Sequence, residues 1–302
     1  MRLQSMMKFL HVLYIAHSTP VLAKTLEIST ATSSTVYKLE HNNTWFENLA
    51  GRSNGDILTT SVLGTSGITE TALDIFVFGA GNLTINPLNV LPGLLKLLSL
   101  DLSTKDPEVE LITSMPDAVF INGITPGSAT EVLVADTILG AIYKVNTVTG
   151  AYETSLSGPD FAGANGVSVQ DGYLYYTSSS KQTLSRLLVN GDLIPGPVKV
   201  IYDGTPVDDF VLAPDGTAYV ATLGHNQVIR VDAFGSTTSV AGAIDKLDVA
   251  GATPLRFGSK GMDSRTLYVT TNGATAQPLG GDLIEPAKIV AIKLNCGNAL
   301  DA

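Results

Sequence analysis

One pattern of short strands recurs at a fixed spacing in the middle of the chain. Each copy contains four short strands separated by turns. The copies cover 122–156, 165–204 and 208–242. The polar residues that open them, Asn122, Asn165 and Asp208, follow one another at intervals of 43 residues. A period in the forties with four strands per unit is typical of a β-propeller, in which each repeat forms one blade. The repeat therefore predicts an all-β chain whose blades surround a central tunnel.

Less regular copies on both sides bring the predicted number of blades to six. Inner strands begin near 47, 67, 122, 165, 208 and 254. The step from 47 to 67 is too short for four strands, so the first blade is predicted to be truncated. The last blade has no evident fourth strand after Leu294, while residues 34–41 remain unassigned. We expect this N-terminal strand to pair with 288–294 and close the ring, which removes exposed sheet edges.

The composition agrees with an all-β domain and limits the partners. The 302 residues include 29 glycines and 14 prolines, and the apolar residues fall in short runs. The formal net charge is −10. No cluster of Lys and Arg is available to neutralise phosphates, so we expect no nucleic-acid partner. No break in composition suggests a second domain, and residues 24–302 are predicted to form one propeller and to be monomeric.

The first 23 residues have the three parts of an export signal. Arg2 and Lys8 precede a short apolar run at 9–16, and Ala23 ends a small-residue cleavage site. The apolar run is too short to span a bilayer, so no membrane span is predicted. The alternative interpretation of this segment is a buried first strand.

Two sequons and a single cysteine bear on the same prediction. Asn42 and Asn82 each begin an N-x-[ST] tripeptide, which is an N-glycosylation site only if the chain enters the secretory pathway. We therefore expect a secreted protein, glycosylated at one or both positions. Cys296 has no partner for an intrachain disulfide and is predicted to be a buried, unreactive thiol.

Several segments resemble a family of six-bladed propellers. They are "ENLAGRSNGDILTTS", "GITETALDIFVFGAGN", "FINGIT", "VLVADTILGAIYKVN", "GANGV" and "LYVTTNG". These segments are similar to the senescence-marker-protein, gluconolactonase and strictosidine-synthase-like superfamily, and more closely to its secreted fungal branch. The resemblance runs from about Trp45 to Leu294. It predicts the fold, but one propeller can host unrelated reactions.

The resemblance also implies an ion site in the tunnel. Relatives hold a divalent cation with a Glu, one or two Asn and an Asp at the starts of inner strands. Glu47, Asn165 and Asp208 stand at those places here, with Asn122 as a ligand directly or through water. Such oxygen ligands suit calcium or magnesium. The alternative is that these short polar side chains bond to inner-strand backbone around a water-filled tunnel.

Two departures from the family pattern weaken the implied ion site. The Glu of the relatives is followed by Gly-Pro where this chain has Asn48 and Leu49, and their Asp is followed by Gly where it has Asp209. We expect no required cofactor, with calcium or magnesium as the ion if one binds.

Other candidate residues come from loops on the face where the inner strands begin. His225 is the candidate proton donor, and with Asn165 and Asp208 it makes up the predicted catalytic set. The predicted substrate-binding residues are Trp45, Glu47, Asn122, Asp136, Lys181 and Asn272. The apolar stretch 85–100 is interpreted as a blade strand plus a loop, with a lipophilic rim as the alternative.

The motifs that are absent narrow the chemistry. The sequence has no G-x-S-x-G nucleophile elbow and no His-Glu-x-x-His metal helix. Some secreted relatives resemble hetero-Diels–Alderases, which join a tropolone quinone methide to a sesquiterpene alkene. Such a cycloaddition requires an enclosing cavity, fixed orientation and a hydrogen-bond donor. We therefore predict this reaction on a small apolar natural product. A metal-dependent lactonase and a non-catalytic binding propeller remain the alternatives.

Overall fold

The described part of the chain forms a ring of antiparallel sheets. This computed structural model describes residues 14–16, 31–61, 64–81, 83–85, 88–91, 93–189, 196–259 and 261–294. Asn82, Cys296 and most of the predicted export signal lie outside the described residues. The described part contains no helix long and apolar enough to cross a membrane.

The first sheet has three strands. The chain enters through β1 (Tyr14–Ala16), β2 (Thr32–Lys38), β3 (Phe46–Gly51) and β4 (Ile57–Ser61). The sheet order is β1-β4-β3, whereas β2 pairs elsewhere. Strand β1 lies within the predicted export signal, whose cleavage remains a prediction.

The other blades each have four strands. The first of them contains β5 (Thr65–Ala72), β6 (Ile75–Ala80), β9 (Lys96–Asp101) and β10 (Glu108–Ser114), with the hairpin β7 (Leu83–Ile85) and β8 (Leu88–Val90) inserted between β6 and β9. The next contains β11 (Ile121–Ser128), β12 (Glu131–Asp136), β13 (Ala141–Asn146) and β14 (Tyr152–Ser157). The interpretation of 85–100 as blade strand plus loop is therefore right for β9 but missed the hairpin.

The second half of the ring follows the same order. One blade has β15 (Ala164–Gln170), β16 (Tyr173–Ser178), β17 (Thr183–Leu188) and β18 (Lys199–Asp203). The next has β19 (Phe210–Leu212), β20 (Ala218–Thr222), β21 (Gln227–Val231) and β22 (Thr237–Gly242). The last has β23 (Ala252–Phe257), β24 (Thr266–Thr271) and β25 (Lys288–Lys293), with β2 as its outer strand. Short 3-10 turns lie at Pro159–Phe161, Leu223–His225 and Gly261–Arg265.

The prediction of six blades is corrected to five four-stranded blades. The three-stranded sheet of β1, β4 and β3 stands where the truncated first blade was expected. After β4 the chain passes from Ser61 to β5 within a few residues, so β3 and β4 are not followed by outer strands of their own. Apolar side chains cover both faces of this sheet. Phe46 and Leu49 pack with Ile289, and Leu58 packs with Phe76. The reduced sheet therefore fills the gap between the blades on either side of it.

The closing strand pairs as the sequence predicted. Strand β2 runs antiparallel to β25, from Thr32 opposite Lys293 to Lys38 opposite Lys288. The last blade thus joins residues from both ends of the described chain, and its outer edge is supplied by a segment that precedes the first sheet. This arrangement ties the ring together.

The meander order fixes which loops share a face. The innermost strands β3, β5, β11, β15, β19 and β23 stand side by side around the axis. Because neighbouring strands within a blade are antiparallel, the start of each innermost strand lies on the same face as the loop between its second and third strands. We call this the mouth face.

Candidate functional site

The innermost strands begin with the same irregularity. Five of them skip two residues in pairing with the second strand, for example between Ile121 and Ile124 and between Ala164 and Val167. Such bulges re-aim side chains. The first skipped residues, with Asp208 just ahead of β19, make up the set that we call the ring residues. They are Glu47, Ser66, Asn122, Asn165, Asp208 and Thr253, and all are buried.

Glycines let neighbouring innermost strands approach closely beside the ring residues. A Cβ on Gly67 would lie 1.8 Å from the carbonyl oxygen of Asn122, and one on Gly123 would lie 2.5 Å from that of Asn165. At Gly166 the obstruction is the Asp209 carboxylate, 2.1 Å away. The small residue after a ring residue therefore brings the next blade into contact and draws the polar side chains together.

A hydrogen-bond network joins two ring residues directly. Asn165 Nδ2 donates to Asp208 Oδ1 at 2.6 Å and to Ser179 Oγ at 2.8 Å. The hydroxyl of Thr177 donates to the Asp208 carbonyl and accepts from the backbone of Gly166. The Asn165 side-chain amide is therefore oriented by two side chains from two blades, and Thr177 links the backbone beside it to that of Asp208.

Elsewhere in the ring, Asn48 Nδ2 donates to Asn122 Oδ1 over a long 3.4 Å. Asn48 follows the ring residue Glu47, so the family departure noted in the sequence supplies a second amide at the site. Its own backbone N–H bonds to Thr60 Oγ1 at 3.1 Å, which holds the strand in place.

The carboxyl groups of two ring residues, Glu47 and Asp208, and of the neighbouring Asp209 lie close enough to affect one another. Burial raises the pKa of Glu47 to about 7, and the nearby Asp209 adds to the increase, while the Trp45 indole and the Asn122 amide oppose it. Burial, followed by the charges of Glu47 and Asp209, raises the pKa of Asp208 well above its ordinary range, against the hydrogen bond from Asn165. These groups therefore carry less negative charge at neutral pH than three exposed carboxylates would.

An arginine balances part of the remaining charge. Burial raises the pKa of Asp209 to about 6, whereas its bond from the Phe210 backbone and the charge of Arg256 oppose the increase. Burial lowers the pKa of Arg256, and the charges of Asp209 and Glu70 counteract that shift. Asp209 and Glu70 come from different blades, so Arg256 supplies positive charge to carboxyl groups of both.

Several buried polar atoms at the ring lack a hydrogen-bond partner. Among the described residues these include Glu47 Oε2, Asn165 Oδ1 and Trp45 Nε1. The Trp45 indole therefore lies close enough to affect the Glu47 pKa without making a hydrogen bond of good geometry. Orphaned buried oxygens call for water, an ion or a ligand.

The ring residues fit a hard divalent cation in their chemistry. Glu47, Asp208 and Asn165 offer oxygens, two of which come from the orphaned set, and Asn122 supplies another oxygen nearby. Within the described residues, no group of three or more His, Cys, Asp or Glu side chains is arranged to hold a metal. Amide oxygens would therefore have to complete any coordination sphere.

The loop residues predicted for substrate binding separate into two groups. The carboxylate of Asp136 is fully buried and accepts four backbone N–H bonds, from Val119, Phe120, Ile138 and Leu139. It holds a loop and presents no free oxygen to a substrate. The Lys181 ammonium group contacts Asp160 instead of a ring residue, with its Nζ 3.3 Å from the Asp160 carbonyl oxygen and 3.7 Å from Oδ1.

The two remaining loop candidates stay on the mouth face. His225 ends a 3-10 turn and is partly exposed. The next residue, Asn226, fixes that turn because its side chain bonds to Ile244 and Gly251. Asn272 is completely buried, and neither atom of its side-chain amide has a hydrogen-bond partner among the described residues.

An open groove of about 660 Å³ adjoins the ring on the mouth face. It lies between the blades that begin with β11 and β15. Its walls are loop residues from both blades: Thr137, Ile138, Leu139, Gly140, Gly158, Pro159, Ala162, Gly163, Ser179 and Ser180. Ser179 also accepts the hydrogen bond from Asn165, so this residue belongs to both the groove and the ring.

Sequence reasoning missed Arg256 and Ser179. A charge in the middle of an innermost strand was the available signal for Arg256, because the aligned positions of other blades hold Thr69, Thr125 and Ser168. Nothing in the sequence distinguished Ser179 from its serine neighbours. Its role depends on where the loop after β16 turns.

The ring and the groove together define the class: an all-β propeller with an acidic, amide-rich tunnel mouth. No protein-family model matches the chain. Over 210 residues the chain is 27% identical to a Phoma species protein named "Putative hetero-Diels-Alderase", and the match covers 58% of this chain and 59% of that protein. The chain thus spans less than two thirds of the length of this relative.

Solved structures with this fold include enzymes of different kinds. A luciferin-regenerating enzyme superposes with a TM-score of 0.66 at 12% identity, covering 88% of this chain and 96% of its own. A gluconolactonase from Xanthomonas campestris gives 0.60 at 11% identity, covering 88% and 90%. Virginiamycin B lyase from Staphylococcus aureus gives 0.56 at 13% identity, covering 88% and 100%. At these identities the likeness shows the propeller fold alone.

Proposed function

We propose that the protein is an enzyme that catalyses a hetero-Diels–Alder cycloaddition at the mouth face. The observation that carries this proposal is the contact between a buried polar ring and an open, uncharged groove through one residue, Ser179. The name of the Phoma relative supports the same reaction class. The substrates we propose are a tropolone quinone methide and a sesquiterpene alkene.

The reaction needs little from the protein beyond orientation and hydrogen bonding. A heterodiene that ends in oxygen adds to the two carbons of an alkene, so that one C–C bond and one C–O bond form while no atom or proton leaves. Negative charge builds on the heterodiene oxygen in the transition state, and a fixed donor stabilises it. Holding both partners at the mouth supplies the remaining acceleration.

The ring offers donors suited to that oxygen. The Trp45 indole N–H is buried beside Glu47 and has no hydrogen bond of good geometry among the described residues. The Glu47 carboxyl, whose pKa is raised to about 7, holds its proton in a large fraction of molecules at neutral pH. We assign the carbonyl partner to this side of the ring. We assign Asn165 as a positioning residue and His225 as a further donor.

A metal-dependent lactonase is the second candidate, favoured by the orphaned oxygens of Glu47 and Asn165. A bound calcium or magnesium ion would polarise a lactone carbonyl. Glu47, Asn165 and Asp208 would hold that ion, with Asn122 nearby. In this case His225 would move a proton at the leaving oxygen.

The deciding experiment compares product ratios with and without protein. The purified chain is incubated with a quinone-methide precursor and humulene, and the rate and isomer ratio are measured against a protein-free control. We expect a faster reaction and a changed ratio, both retained in chelator. Unchanged rates and ratios together with chelator-sensitive lactone hydrolysis would establish the lactonase, and binding without either reaction would establish a non-catalytic propeller.

Variants of the ring refine that experiment. His225→Ala and Asn165→Ala should each slow the reaction about 10-fold, because the first removes one donor among several and the second frees Ser179 and Asp208 from the Asn165 amide. Asn122→Trp should slow it more than either, since a large side chain in the ring prevents the partners from stacking. If Asn122→Trp is as active as wild type, the reaction takes place elsewhere.

Secretion and N-glycosylation form a separate proposal. Asn42 is exposed beside the closing strand, and the hydroxyl of Thr44, the third residue of its sequon, bonds to His41 and Ala287. We expect the chain made in a eukaryotic secretory host to lose mass on treatment with an N-glycosidase. A chain of unmodified mass in that host would contradict the proposal.

A further inference from the structure

Among the described residues, the lining of the groove beside the ring carries no charge. Thr137, Ser179 and Ser180 contribute its polar side chains, and the remaining lining residues are apolar or glycine. Ile138 and Leu139, on one wall, are each about half exposed to solvent. Large apolar side chains left in contact with water at the edge of a cavity favour a neutral, apolar ligand.

The floor of the groove is formed by backbone that tolerates no larger residue. Gly140 and Gly163 have φ angles of +63° and +72°. A Cβ on Gly140 would lie 2.9 Å from the Ala162 Cα, and one on Gly163 would lie 2.7 Å from the Ser180 backbone nitrogen. The two loops therefore touch through glycines, which leaves a shallow surface open above them.

One buried carboxylate preorganises the apolar wall. Asp136 accepts hydrogen bonds from the backbone of Ile138 and Leu139, at 3.1 and 3.0 Å, and two more from the segment before β11. A loop held by four such bonds to one carboxylate does not need to order itself when a ligand arrives. Asp136 is thus a positioning residue for the groove.

The opposite wall is supported by an aromatic pair. Phe161 packs on Tyr176, with ring centroids 5.2 Å apart, and the Tyr176 hydroxyl donates to the Asp160 carbonyl at 3.0 Å. This pair lies beneath the turn that supplies Pro159 and Ala162 to the lining. Both walls are therefore built by buried contacts.

We infer that this groove is the subsite of the apolar alkene partner. The inference rests on the proposed cycloaddition, which needs two partners side by side. It assigns the ring to one partner and the groove to the other. The carbonyl partner lies against the polar ring and the hydrocarbon lies in the groove. The reacting atoms meet near Ser179, which touches Asn165 on one side and lines the groove on the other.

The volume agrees with such an occupant. Small-molecule sites generally occupy about 300–1,000 Å³, and the groove of about 660 Å³ falls in the middle of that range. The absence of an ionisable lining residue argues against an anionic or cationic ligand there. These walls favour a neutral hydrocarbon, and the proposed reaction adds the requirement that it carry a double bond.

Equilibrium binding of humulene alone tests the subsite without any reaction. Displacement of the neutral dye Nile red by humulene is measured for wild type, Ile138→Asp and Ala162→Leu. We expect the apparent Kd for humulene to rise at least about 10-fold in Ile138→Asp, since a charge replaces an apolar wall. Ala162→Leu should act in the same direction by filling the groove, and it guards against a folding defect in the first variant.

Val148→Asp is the matched control. Val148 is a strongly exposed apolar residue of the same blade, but it lies in the turn between β13 and β14, on the face opposite the mouth. It should leave humulene binding within about twofold of wild type. Equal humulene binding by wild type and by both groove variants would overturn the inference.

Product assays with the same variants separate this inference from the proposed function. Weaker humulene binding with a matching rise in the alkene KM supports the subsite and the reaction together. Weaker binding in a protein that forms no cycloadduct retains the subsite and removes the proposed reaction. Lost cycloaddition with unchanged humulene binding overturns the subsite.

Discussion

Asn165 Nδ2 donates a hydrogen bond to Asp208 Oδ1 at 2.6 Å, across the boundary between two blades, and the two residues are 43 positions apart. That separation is the period of the sequence repeat. Equivalent residues of successive blades thus meet at the axis of the ring. The repeat that packs the blades against one another therefore also places their polar side chains in contact. The bond leaves the Asn165 side-chain oxygen without a partner in the ring.

The charge on Asp208 gives the first prediction. Asp208→Asn keeps an oxygen that can accept from Asn165 but removes a buried charge close to Glu47 and Asp209. In chelator at slightly alkaline pH we expect its melting temperature to exceed that of wild type by about 2–4 °C, which corresponds to about 1 kcal/mol. Thermal unfolding followed by circular dichroism measures the difference, with Asp245→Asn as an exposed control of equal charge change.

Added calcium tests whether the ring binds a metal ion or the carbonyl partner of the proposed cycloaddition. If Glu47, Asn165 and Asp208 hold an ion, millimolar calcium should raise the melting temperature of wild type but not of Asp208→Asn, because a ligand bound only to the folded state stabilises it. No response of wild type to calcium or magnesium would remove the ion from the ring and the lactonase with it.

The close approach of the blades gives the second prediction. Gly123→Ala places a methyl group 2.5 Å from the Asn165 carbonyl oxygen, so the innermost strands must separate. We expect a loss of about 1–3 kcal/mol in the free energy of unfolding, as for other overpacked sites. Urea denaturation measures it.

Gly127→Ala is the matched control for that variant. Gly127 lies on the same strand, β11, and a Cβ there would lie 3.4 Å from its nearest neighbour, within ordinary contact. It should change the free energy of unfolding by less than about 0.5 kcal/mol. Equal losses in the two variants would show that the blade contact is not the cause.

The sequence predicted the ring residues better than it predicted the loops. Asn122, Asn165 and Asp208 could be found because the 43-residue repeat places them at equivalent positions of successive blades. The hairpin of β7 and β8 and the burial of Asp136 could not be found, since both depend on loop conformations that no periodicity records. The reduced first sheet was expected from the short step between two strands, although counting it as a blade gave six blades where the structure has five.

Alkaline pH gives the third prediction. Burial raises the pKa of Tyr176 to about 12, against an ordinary value near 10. Its neutral phenol therefore contributes stability that is fully present below about pH 10 and is lost as the pH rises towards 12, because the unfolded chain releases the proton first. Melting temperatures across that interval should fall less steeply for Tyr176→Phe than for wild type.

Tyr143 offers an independent case of the same effect. Burial raises its pKa to about 12 as well, with the charges of Asp136 and Asp117 adding to the increase. Tyr143→Phe should also make the melting temperature fall less steeply with rising pH. The double variant Tyr143→Phe with Tyr176→Phe should show the smallest fall. A decline of unchanged slope in both single variants would contradict the assignment of alkaline instability to buried phenols.

The last prediction concerns the ion cluster that joins the closing strand to its blade. Glu285 lies 2.5 Å from Lys38 Nζ and 2.8 Å from Lys288 Nζ. The Glu285 and Lys288 side chains are buried, whereas Lys38 is 42% exposed. Lys288 Nζ also donates to the Leu247 carbonyl at 2.7 Å.

Glu285→Gln should therefore cost about 3–5 kcal/mol in the free energy of unfolding, because it leaves the Lys288 ammonium buried without a counter-charge. Lys38→Gln should cost less than about 1 kcal/mol, as expected for an exposed partner. Urea unfolding of the two variants measures both costs. The double variant Glu285→Gln with Lys288→Met should recover part of the stability that Glu285→Gln loses. Equal costs for Lys38→Gln and Glu285→Gln would mean that closure of the ring depends on the β2–β25 ladder and not on the buried charge.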